Sequence, residues 1–411
     1  MIEPGVQHRP DTSRAHLGYI EGMRGVAVAF VIGFHATLWA GVVGGGSSTV
    51  ALLAPAVDLF FVVSGFSIVW PLLTRGRGSG RQINPLSFIR RRVLRIAPPY
   101  YVALLIALAV SAAAPILVAS SARSGGLFPA TFPASWQQTI GDVAGHLTFT
   151  HGFSQTYDRA IDSAFWTLST EWQFYVLLPL LVFVARRWSV AAVVAGAAFV
   201  LVSYMAVTHV AAPGFTRTPV GYDVLPFHLI EFAGGMAAAA VTAAGRDLRR
   251  IAPLSLALLP AAAVGAAYGP FAARPLLWAT GGSFLLAAIP WMPLVDRALT
   301  LPPVRWLGRV SYSAYLIHGS CFMALAIVAV RARLSPEGRE ALLLLVGIPL
   351  ALLAAQGLFA LVEAPAHRYA RGLPKQALPE TAAEAPGLAL QPHAQGALAL
   401  VAASPTTAAD R

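Results

Sequence analysis

The chain has 411 residues, of which 57% are hydrophobic and 11% are charged, whereas about 25% of the residues of a soluble domain are charged. This composition predicts an all-α polytopic membrane protein. The formal net charge is +11, but the basic residues, all arginine except Lys375, cluster between apolar runs. That arrangement is typical of membrane topology, so no nucleic-acid partner is expected. The single cysteine, Cys321, excludes an internal disulfide and a cysteine-based metal site, and we predict no metal site.

Ten apolar segments reach the length of about 20 residues that a membrane-spanning helix needs. In chain order they are residues 19–41, 51–73, 98–118, 165–186, 189–209, 222–243, 251–268, 275–293, 310–331 and 341–363. The seventh and eighth are the weakest, because Gly269, Pro270 and Pro275 leave only a short turn between them. Ten spans, an even number, place both termini on one side of the membrane.

The basic residues between the spans predict which side that is. One set of loops, together with residues 1–18 and 364–375, holds twenty of them, and the opposite set holds seven. Because basic loops stay in the cytoplasm, both termini are expected there. Residues 1–18 are then a cytoplasmic segment, residues 19–371 the membrane domain, and residues 372–411 a disordered cytoplasmic tail rich in Ala and Pro. The longest connection, residues 119–164, lies outside and is expected to be functional or disordered.

The first span, YIEGMRGVAVAFVIGFHA, carries Glu21, Arg24 and His35. Eleven residues of α-helix place Arg24 and His35 on one stripe, about 16 Å apart along the axis. Glu21 lies three residues before Arg24, so the two could form a purely structural pair. His35 lies beyond the midpoint of the span, and an imidazole titrates close enough to neutral pH to act as a general base. Considered alone, a histidine in such a helix is more commonly a packed core residue than a catalyst.

Several other spans contain ionisable or polar residues, which are costly in a membrane and often mark a functional site. Span two has Asp58 and Ser64, span four has Glu171, and span six has His228 and Glu231. Each could be a structural hydrogen-bonding group. Together they exceed what packing requires.

The segment NPLSFIRRRVLRIAPPYY, between spans two and three, places an arginine cluster at the cytoplasmic face. Arg92 and Arg95 are three residues apart and share a helical face, so their guanidinium groups could clamp a polyphosphate. The alternative is a cluster that sets topology and contacts anionic lipid headgroups.

Six blocks together carry a family resemblance: YIEGMRGVAVAFVIGFHA, AVDLFFVVSGFSI, SFIRRRVLRIAPPYY, FWTLSTEWQFYVLLPLL, VSYSAYLIHGS and VEAPAHR. In this order they resemble the bacterial acyltransferase-3 family of integral membrane O-acyltransferases, over residues 17–371. The resemblance implies a ten-span protein of the bacterial inner membrane. It also implies transfer of an acyl group, acetyl by default, from acyl-CoA to a hydroxyl of a carbohydrate.

The resemblance assigns roles to individual residues of this chain. The family's Arg-x10-His pair falls on Arg24 and His35, its Arg-x-x-Arg motif on Arg92 and Arg95, its Ser-Gly-Phe block on Ser64 to Phe66, and its acid before Phe-Tyr on Glu171. Trp172 departs from the pattern, because many members have a second Glu there. A second acid therefore has no catalytic role at that position.

For the donor, we expect Arg91, Arg92 and Arg95 to bind the CoA phosphates while the pantetheine arm enters the helix bundle beside Ser64. Acyl-CoA is then a substrate, and no permanently bound cofactor is expected. An acyl-enzyme on Ser64 is a less favoured route, since a serine in this block more commonly serves helix packing.

For the acceptor, we expect His35 to deprotonate the hydroxyl, oriented by an acid such as Glu171 or Asp58. Arg24 has a structural or donor-positioning role. The acceptor is either an exported glycan or the sugar of a glycosylated natural product such as a macrolide antibiotic. A proton-coupled transporter of small molecules and a sensor or assembly partner are the alternatives.

Overall fold

A computed structural model describes residues 18–40, 56–75, 85–118, 136–154, 161–212, 219–268 and 273–372, together with Gly214 and Pro270. These residues form helices and short connections, with no strand among them. The predicted N-terminal segment and the predicted disordered tail lie outside the described residues, except for residue 18 and residue 372 at their edges.

The helices are numbered here in chain order. They are α1 (Gly18–Ala40), α2 (Ala56–Arg75), α3 (Pro85–Val118), α4 (Trp136–Leu147), α5 (Trp166–Arg187), α6 (Val190–Ala211), α7 (Pro219–Tyr222), α8 (Leu225–Ala243), α9 (Ser255–Tyr268), α10 (Arg274–Ala288), α11 (Pro293–Leu299), α12 (Pro302–Arg331), α13 (Pro336–Leu342), α14 (Ile348–Leu358) and α15 (Ala364–Gly372). Short 3₁₀ turns lie at His151–Phe153, Ala252–Leu254 and Ile289–Trp291, and π-helical turns at Leu343–Gly347 and Phe359–Glu363.

The predicted class is confirmed, because eight helical runs are long and apolar enough to cross a membrane. They are α1, α2, α3, α5, α6, α8, α12 and the continuous run from α13 to α15. The predicted eighth span is broken, because the run from α10 to Trp291 meets α11 at an angle of 104°. The predicted seventh span is the short helix α9, of 14 residues. The protein is therefore a multi-pass membrane protein, and both the number ten and the side of the termini stay predictions.

Two helices begin well before the predicted spans. Helix α3 starts at Pro85 and not at residue 98, and α12 starts at Pro302 and not at residue 310. The pair Pro98-Pro99 lies inside α3. The arginine cluster therefore belongs to the same rigid helix as span three, and the helical phase decides which arginines face the bundle.

Small residues let the central helices approach closely. A Cβ at Gly65 of α2 would collide with the backbone of Phe232 in α8, and one at Gly235 of α8 would collide with the backbone of Val62 in α2. Because both collisions involve backbone atoms, only glycine fits at these two positions. The close packing in the Ser-Gly-Phe block thus comes from Gly65, which leaves the adjacent Ser64 free for another role.

Helices α1, α2, α3, α5 and α12 line the cavity described below. Helix α1 packs along α12, α12 also contacts α3, and α15 lies against α3. We call the end of the bundle near the start of α1 and α12 the cytoplasmic end, following the prediction from the basic loops. There Arg305 donates from Nε and Nη2 to Glu21 Oε2, each at 3.1 Å. The structural pairing of Glu21 with Arg24 is therefore wrong, because Glu21 faces the neighbouring helix.

Candidate active site

Three arginines and one carboxylate line a cavity inside the bundle. Arg24 comes from α1, Arg92 and Arg95 from α3, and Glu171 from α5. The cavity has a volume of about 820 Å³, including its opening to solvent. Three positive charges against one negative charge leave the walls positive, as a site for an anion requires.

Two of the arginines are held in place by hydroxyl and aromatic groups. Arg24 Nε donates to Ser311 Oγ on α12 at 3.2 Å. The guanidinium of Arg92 lies over the rings of Phe88 and Tyr175, at 5.3 and 5.4 Å from their centroids. Cation–π contacts fix the position of the charge without neutralising it. These side chains are thus oriented toward the cavity and remain able to bind an anion.

Glu171 is the acid of the cavity, and its partners are hydroxyl groups. The Tyr175 hydroxyl donates to Glu171 Oε1, and the Ser64 hydroxyl lies 3.5 Å from the same oxygen. Arg24 and Arg92 are within electrostatic range of this carboxylate. Glu171 therefore balances part of the arginine charge, and it does not orient His35, contrary to one of the sequence-based hypotheses.

His35 is paired with a histidine of α12. Its Nδ1 lies 2.9 Å from His318 Nε2, and His318 Nδ1 lies 3.1 Å from the carbonyl oxygen of Ala314. Because a carbonyl only accepts, His318 Nδ1 carries its proton, and in the neutral ring Nε2 accepts from His35. This pattern assigns the proton of neutral His35 to Nδ1. Its lone pair is then on Nε2, as a general base requires.

The histidine pair lies next to the far end of the cavity from the arginines. Thr167, Phe60 and Tyr315 line that end, whereas His35 and His318 are not among the lining residues. The ring of Tyr315 is 5.8 Å from that of His318, centroid to centroid. The cavity thus connects the arginines to a point one aromatic ring away from the histidine pair.

Asp58 lies elsewhere, in a separate set of side chains that we call the outer cluster: Asp58, Tyr222, His228, Glu231 and Arg274. Arg274 Nε donates to Asp58 Oδ2 at 2.9 Å, and the Tyr222 hydroxyl donates to Asp58 Oδ1 at 3.1 Å. His228 Nδ1 lies 2.9 Å from Glu231 Oε2. The expectation that Asp58 orients His35 is wrong, because its carboxylate faces α8 and α10, where Arg274 compensates its charge.

The structure brings together most, though not all, of the residues proposed from the sequence. Arg24, Ser64, Arg92, Arg95 and Glu171 line one cavity. Arg91 does not line it, because a step of one residue turns its side chain by about 100° away from Arg92. His35 borders the cavity through the Tyr315 side of the wall.

Sequence reasoning assigned no role to two residues near the cavity. His318 lies in the block VSYSAYLIHGS, and its spacing from Ser311 by seven residues, two helical turns, was the available signal. Glu363 is buried and accepts a hydrogen bond from Ser313 Oγ at 2.6 Å. A π-helical turn ends at Glu363, and such turns are common at functional sites but leave no clear signal in the sequence.

The connection after α3 is ordered where the structure describes it. The rings of His146 and His151 are stacked, 4.1 Å apart, and the His151 Nε2–H donates to the Phe165 carbonyl at 3.0 Å. Burial raises the pKa of Asp142 to about 6 and that of Asp162 to about 7. Burial and the neighbouring His151 lower the pKa of His146 to about 3. This part of the predicted external loop is therefore docked on the bundle.

The fold and this site define a multi-pass membrane protein whose positively charged cavity ends beside a histidine pair. The family model described as an acyltransferase domain matches residues 17–360. The chain belongs to this acyltransferase-3 family, and the resemblance of the six blocks is thereby confirmed. The match ends just before Glu363.

Two curated relatives support the same family. The chain is 26% identical over 329 residues to the peptidoglycan O-acetyltransferase OatA of Listeria monocytogenes, covering 74% of this chain and 49% of the relative. It is 30% identical over 291 residues to the exopolysaccharide production protein ExoZ of Rhizobium meliloti, covering 67% of this chain and 78% of the relative. The chain thus spans about half the length of the first relative. No solved structure matches the chain significantly.

Proposed function

We propose that this protein is an O-acyltransferase that moves an acyl group, acetyl by default, from acyl-CoA to a hydroxyl of a carbohydrate. The observation that carries the proposal is the positively charged cavity lined by Arg24, Arg92 and Arg95 that leads to the histidine pair. An enzyme that transfers an acyl group from a polyanionic donor needs an anion-binding site and a base. The two must be connected through the membrane domain. The bacterial inner membrane is its proposed location.

The donor binds with its phosphates at the arginines. Guanidinium groups bind phosphate oxygens two at a time, and three of them against Glu171 leave a surplus of positive charge for a polyphosphate. The acyl-pantetheine arm then extends along the cavity toward Thr167 and Tyr315. A lipid-headgroup role is less favoured, because Arg92 and Arg95 line the interior of the bundle.

The chemical step uses His35 as the base. Its Nε2 takes the proton of the acceptor hydroxyl, and the alkoxide oxygen forms a bond to the thioester carbonyl carbon. The tetrahedral intermediate then breaks its carbon–sulfur bond, and the CoA thiolate takes the proton back from His35. His318 keeps His35 in the tautomer that this step needs. Ser64 and Glu171 shape the cavity, and no acyl-enzyme is required.

The acceptor is proposed to be an exported glycan. One relative is named for O-acetylation of peptidoglycan and the other for exopolysaccharide production. These names favour a glycan over the sugar of a glycosylated natural product. Transfer to a glycan at the outer side also fits the position of His35 in the outer half of α1.

Inside-out membrane vesicles provide the test. Acetyl-CoA labelled in its acetyl group is added outside, and an N-acetylglucosamine oligosaccharide is trapped inside. We expect labelled oligosaccharide, and a fall in its rate of at least about a hundredfold in His35→Ala, because general base catalysis typically contributes that much. His209→Ala, a histidine exposed on the surface of α6, is the matched control and should keep the wild-type rate.

Two results would contradict the proposal. One is a wild-type rate in His35→Ala, because this variant lacks the proposed base. The other is the absence of any labelled carbohydrate together with accumulation of a small solute in the vesicles, which is the behaviour of a transporter.

A further inference from the structure

Three ionisable side chains lie along the end of the described helical run, within electrostatic range of the cavity arginines. Glu363, His367 and Arg371 are spaced by four residues, so they form one stripe about 12 Å long on a helix. Helix α15 packs against α3, which carries Arg92 and Arg95. The stripe therefore runs from the buried Glu363 outward to the exposed Arg371 at the cytoplasmic end.

This stripe adds to the positive charge of the cavity. His367 is within electrostatic range of Arg24, Arg92, Arg95 and Arg371. The carboxylates interacting with the same arginines are Glu171 and Glu363. Four guanidinium groups thus meet two carboxylates, so about two positive charges remain uncompensated even when His367 is neutral.

The contacts of His367 indicate an open position in the site. Its Nε2 is buried and has no hydrogen-bond partner among the residues that the structure describes. The nearest acid, Glu363, lies 3.9 Å away, and its other oxygen already accepts from Ser313 at 2.6 Å. A buried imidazole nitrogen without a partner is costly, so an oxygen atom of a ligand is expected there.

We propose that α15 forms the second wall of the donor-phosphate site, with Arg371 binding the 3′-phosphate of CoA and His367 binding its pyrophosphate. This inference rests on acyl-CoA being the donor, as proposed above. Along the donor, the thioester is followed by the pantetheine arm, the pyrophosphate and the ribose 3′-phosphate. Along the protein, His35 is followed by the part of the cavity near Thr167 and Tyr315, by the cavity arginines together with His367, and then by Arg371. The two orders agree.

The alternative explanation is that the arginines of α15 only contact lipid headgroups. Arg368 offers a matched control, because it is exposed, belongs to the same helix and is adjacent to His367. It differs by about 100° in helical phase from His367. A role in topology or in headgroup binding would apply to Arg368 and Arg371 alike, whereas the proposed site includes Arg371 alone.

The experiment measures binding of CoA and of 3′-dephospho-CoA to the purified full chain in nanodiscs of phosphatidylcholine, which carry no anionic headgroups. Calorimetry gives the Kd for each nucleotide. We expect the wild type to bind CoA about tenfold more tightly than 3′-dephospho-CoA, as one charge-assisted phosphate contact predicts. Arg371→Gln should raise the Kd for CoA about tenfold and leave the Kd for 3′-dephospho-CoA unchanged.

Two further variants complete the design. His367→Gln should raise the Kd for both nucleotides by the same factor, roughly fivefold, because both contain the pyrophosphate. Arg368→Gln should keep both Kd values within about twofold of the wild type. Circular dichroism checks that each variant is folded.

The outcomes separate this inference from the proposed function. Equal effects of Arg371→Gln on the two nucleotides, or equal effects of Arg371→Gln and Arg368→Gln, would overturn the role of α15 while acyl-CoA remains the donor. If the folded wild type binds neither nucleotide, the donor assignment itself is wrong, and this inference fails with it.

Discussion

The arginine-lined cavity and the outer cluster contain the same kinds of side chain but differ in charge balance and access. In the outer cluster, Arg274 pairs with Asp58, and His228 pairs with Glu231, with little exposure of any of these groups. In the cavity, Arg24, Arg92 and Arg95 exceed the carboxylates, and the space opens to solvent.

The difference separates a structural cluster from a ligand site. In the outer cluster, the buried carboxylate of Asp58 already has in Arg274 the partner that replaces water, and such a compensated pair joins helices. A surplus of one sign beside an open cavity has no such partner within the protein, and a ligand of opposite charge supplies it. The four predictions below test this distinction, beginning with the largest expected effect.

The strongest test removes the charge surplus. Changing both Arg92 and Arg95 to Ala should raise the apparent KM for acetyl-CoA about a thousandfold, because two charge-assisted phosphate contacts are lost. Arg90→Ala, whose side chain is exposed on the same helix, should leave KM nearly unchanged. Initial rates in vesicles at varied acetyl-CoA concentration measure both. An effect on the acceptor KM alone would show that the cavity does not bind the donor.

The second test breaks the outer cluster. Asp58→Asn should lower the free energy of unfolding by about 3 kcal/mol, because it leaves Arg274 buried without its partner, while KM for acetyl-CoA stays unchanged in the folded fraction. Thermal unfolding in detergent, followed by tryptophan fluorescence, measures the loss. Changing Arg274 to Gln in addition should cost less than the sum of the two single changes. Wild-type stability with lost activity would instead make the outer cluster part of the chemistry.

A smaller effect is expected from the partner of His35. His318→Phe removes the acceptor that fixes the tautomer of His35 and should lower kcat about thirtyfold, with KM for acetyl-CoA unchanged. His318→Gln should restore part of the rate, because its amide oxygen can accept the same hydrogen bond. Single-turnover rates over a range of pH measure the effect. Equal rates for the two variants would leave His318 with a packing role only.

The smallest effect concerns Asp162 in the docked outer segment. Because burial raises its pKa to about 7, the folded state holds a proton that the unfolded state has released above pH 4, so stability falls as pH rises toward 7. Between pH 6 and 7 the loss should be below about 1.4 kcal/mol. Asp162→Asn should flatten this dependence, and Asp247→Asn, an exposed aspartate, should not. Unfolding midpoints measured across this range test the prediction. An unchanged pH dependence of stability in Asp162→Asn would contradict the assignment.

Much of the fold was predictable, because hydrophobicity and helical period are local properties. Eight of the ten predicted spans are long apolar helices, and the two predicted as weakest are the short α9 and the broken pair α10 and α11. The prediction that Arg92 and Arg95 share a helical face held as well, since a spacing of three residues fixes it. The start of α3 was predicted at residue 98, where the apolar run begins, whereas the helix begins at Pro85, because the arginine-rich segment before the run is helical as well.

The site was only partly predictable. That Arg24 and His35 lie on one stripe of a helix follows from the sequence alone. The acid partners did not follow, because any of Glu21, Asp58 and Glu171 satisfies the chemical requirement of a neighbouring charge.

By itself, the sequence determined the membrane class, most of the spans and the family, since these depend on composition, period and ordered motifs. The tertiary structure decided which charges meet: Glu21 with Arg305, Asp58 with Arg274, and His35 with His318. These partners are separated by more than 200 residues in the chain. Helical phase gives the direction of each side chain but not the identity of the helix it faces, and the packing of the bundle supplies that choice.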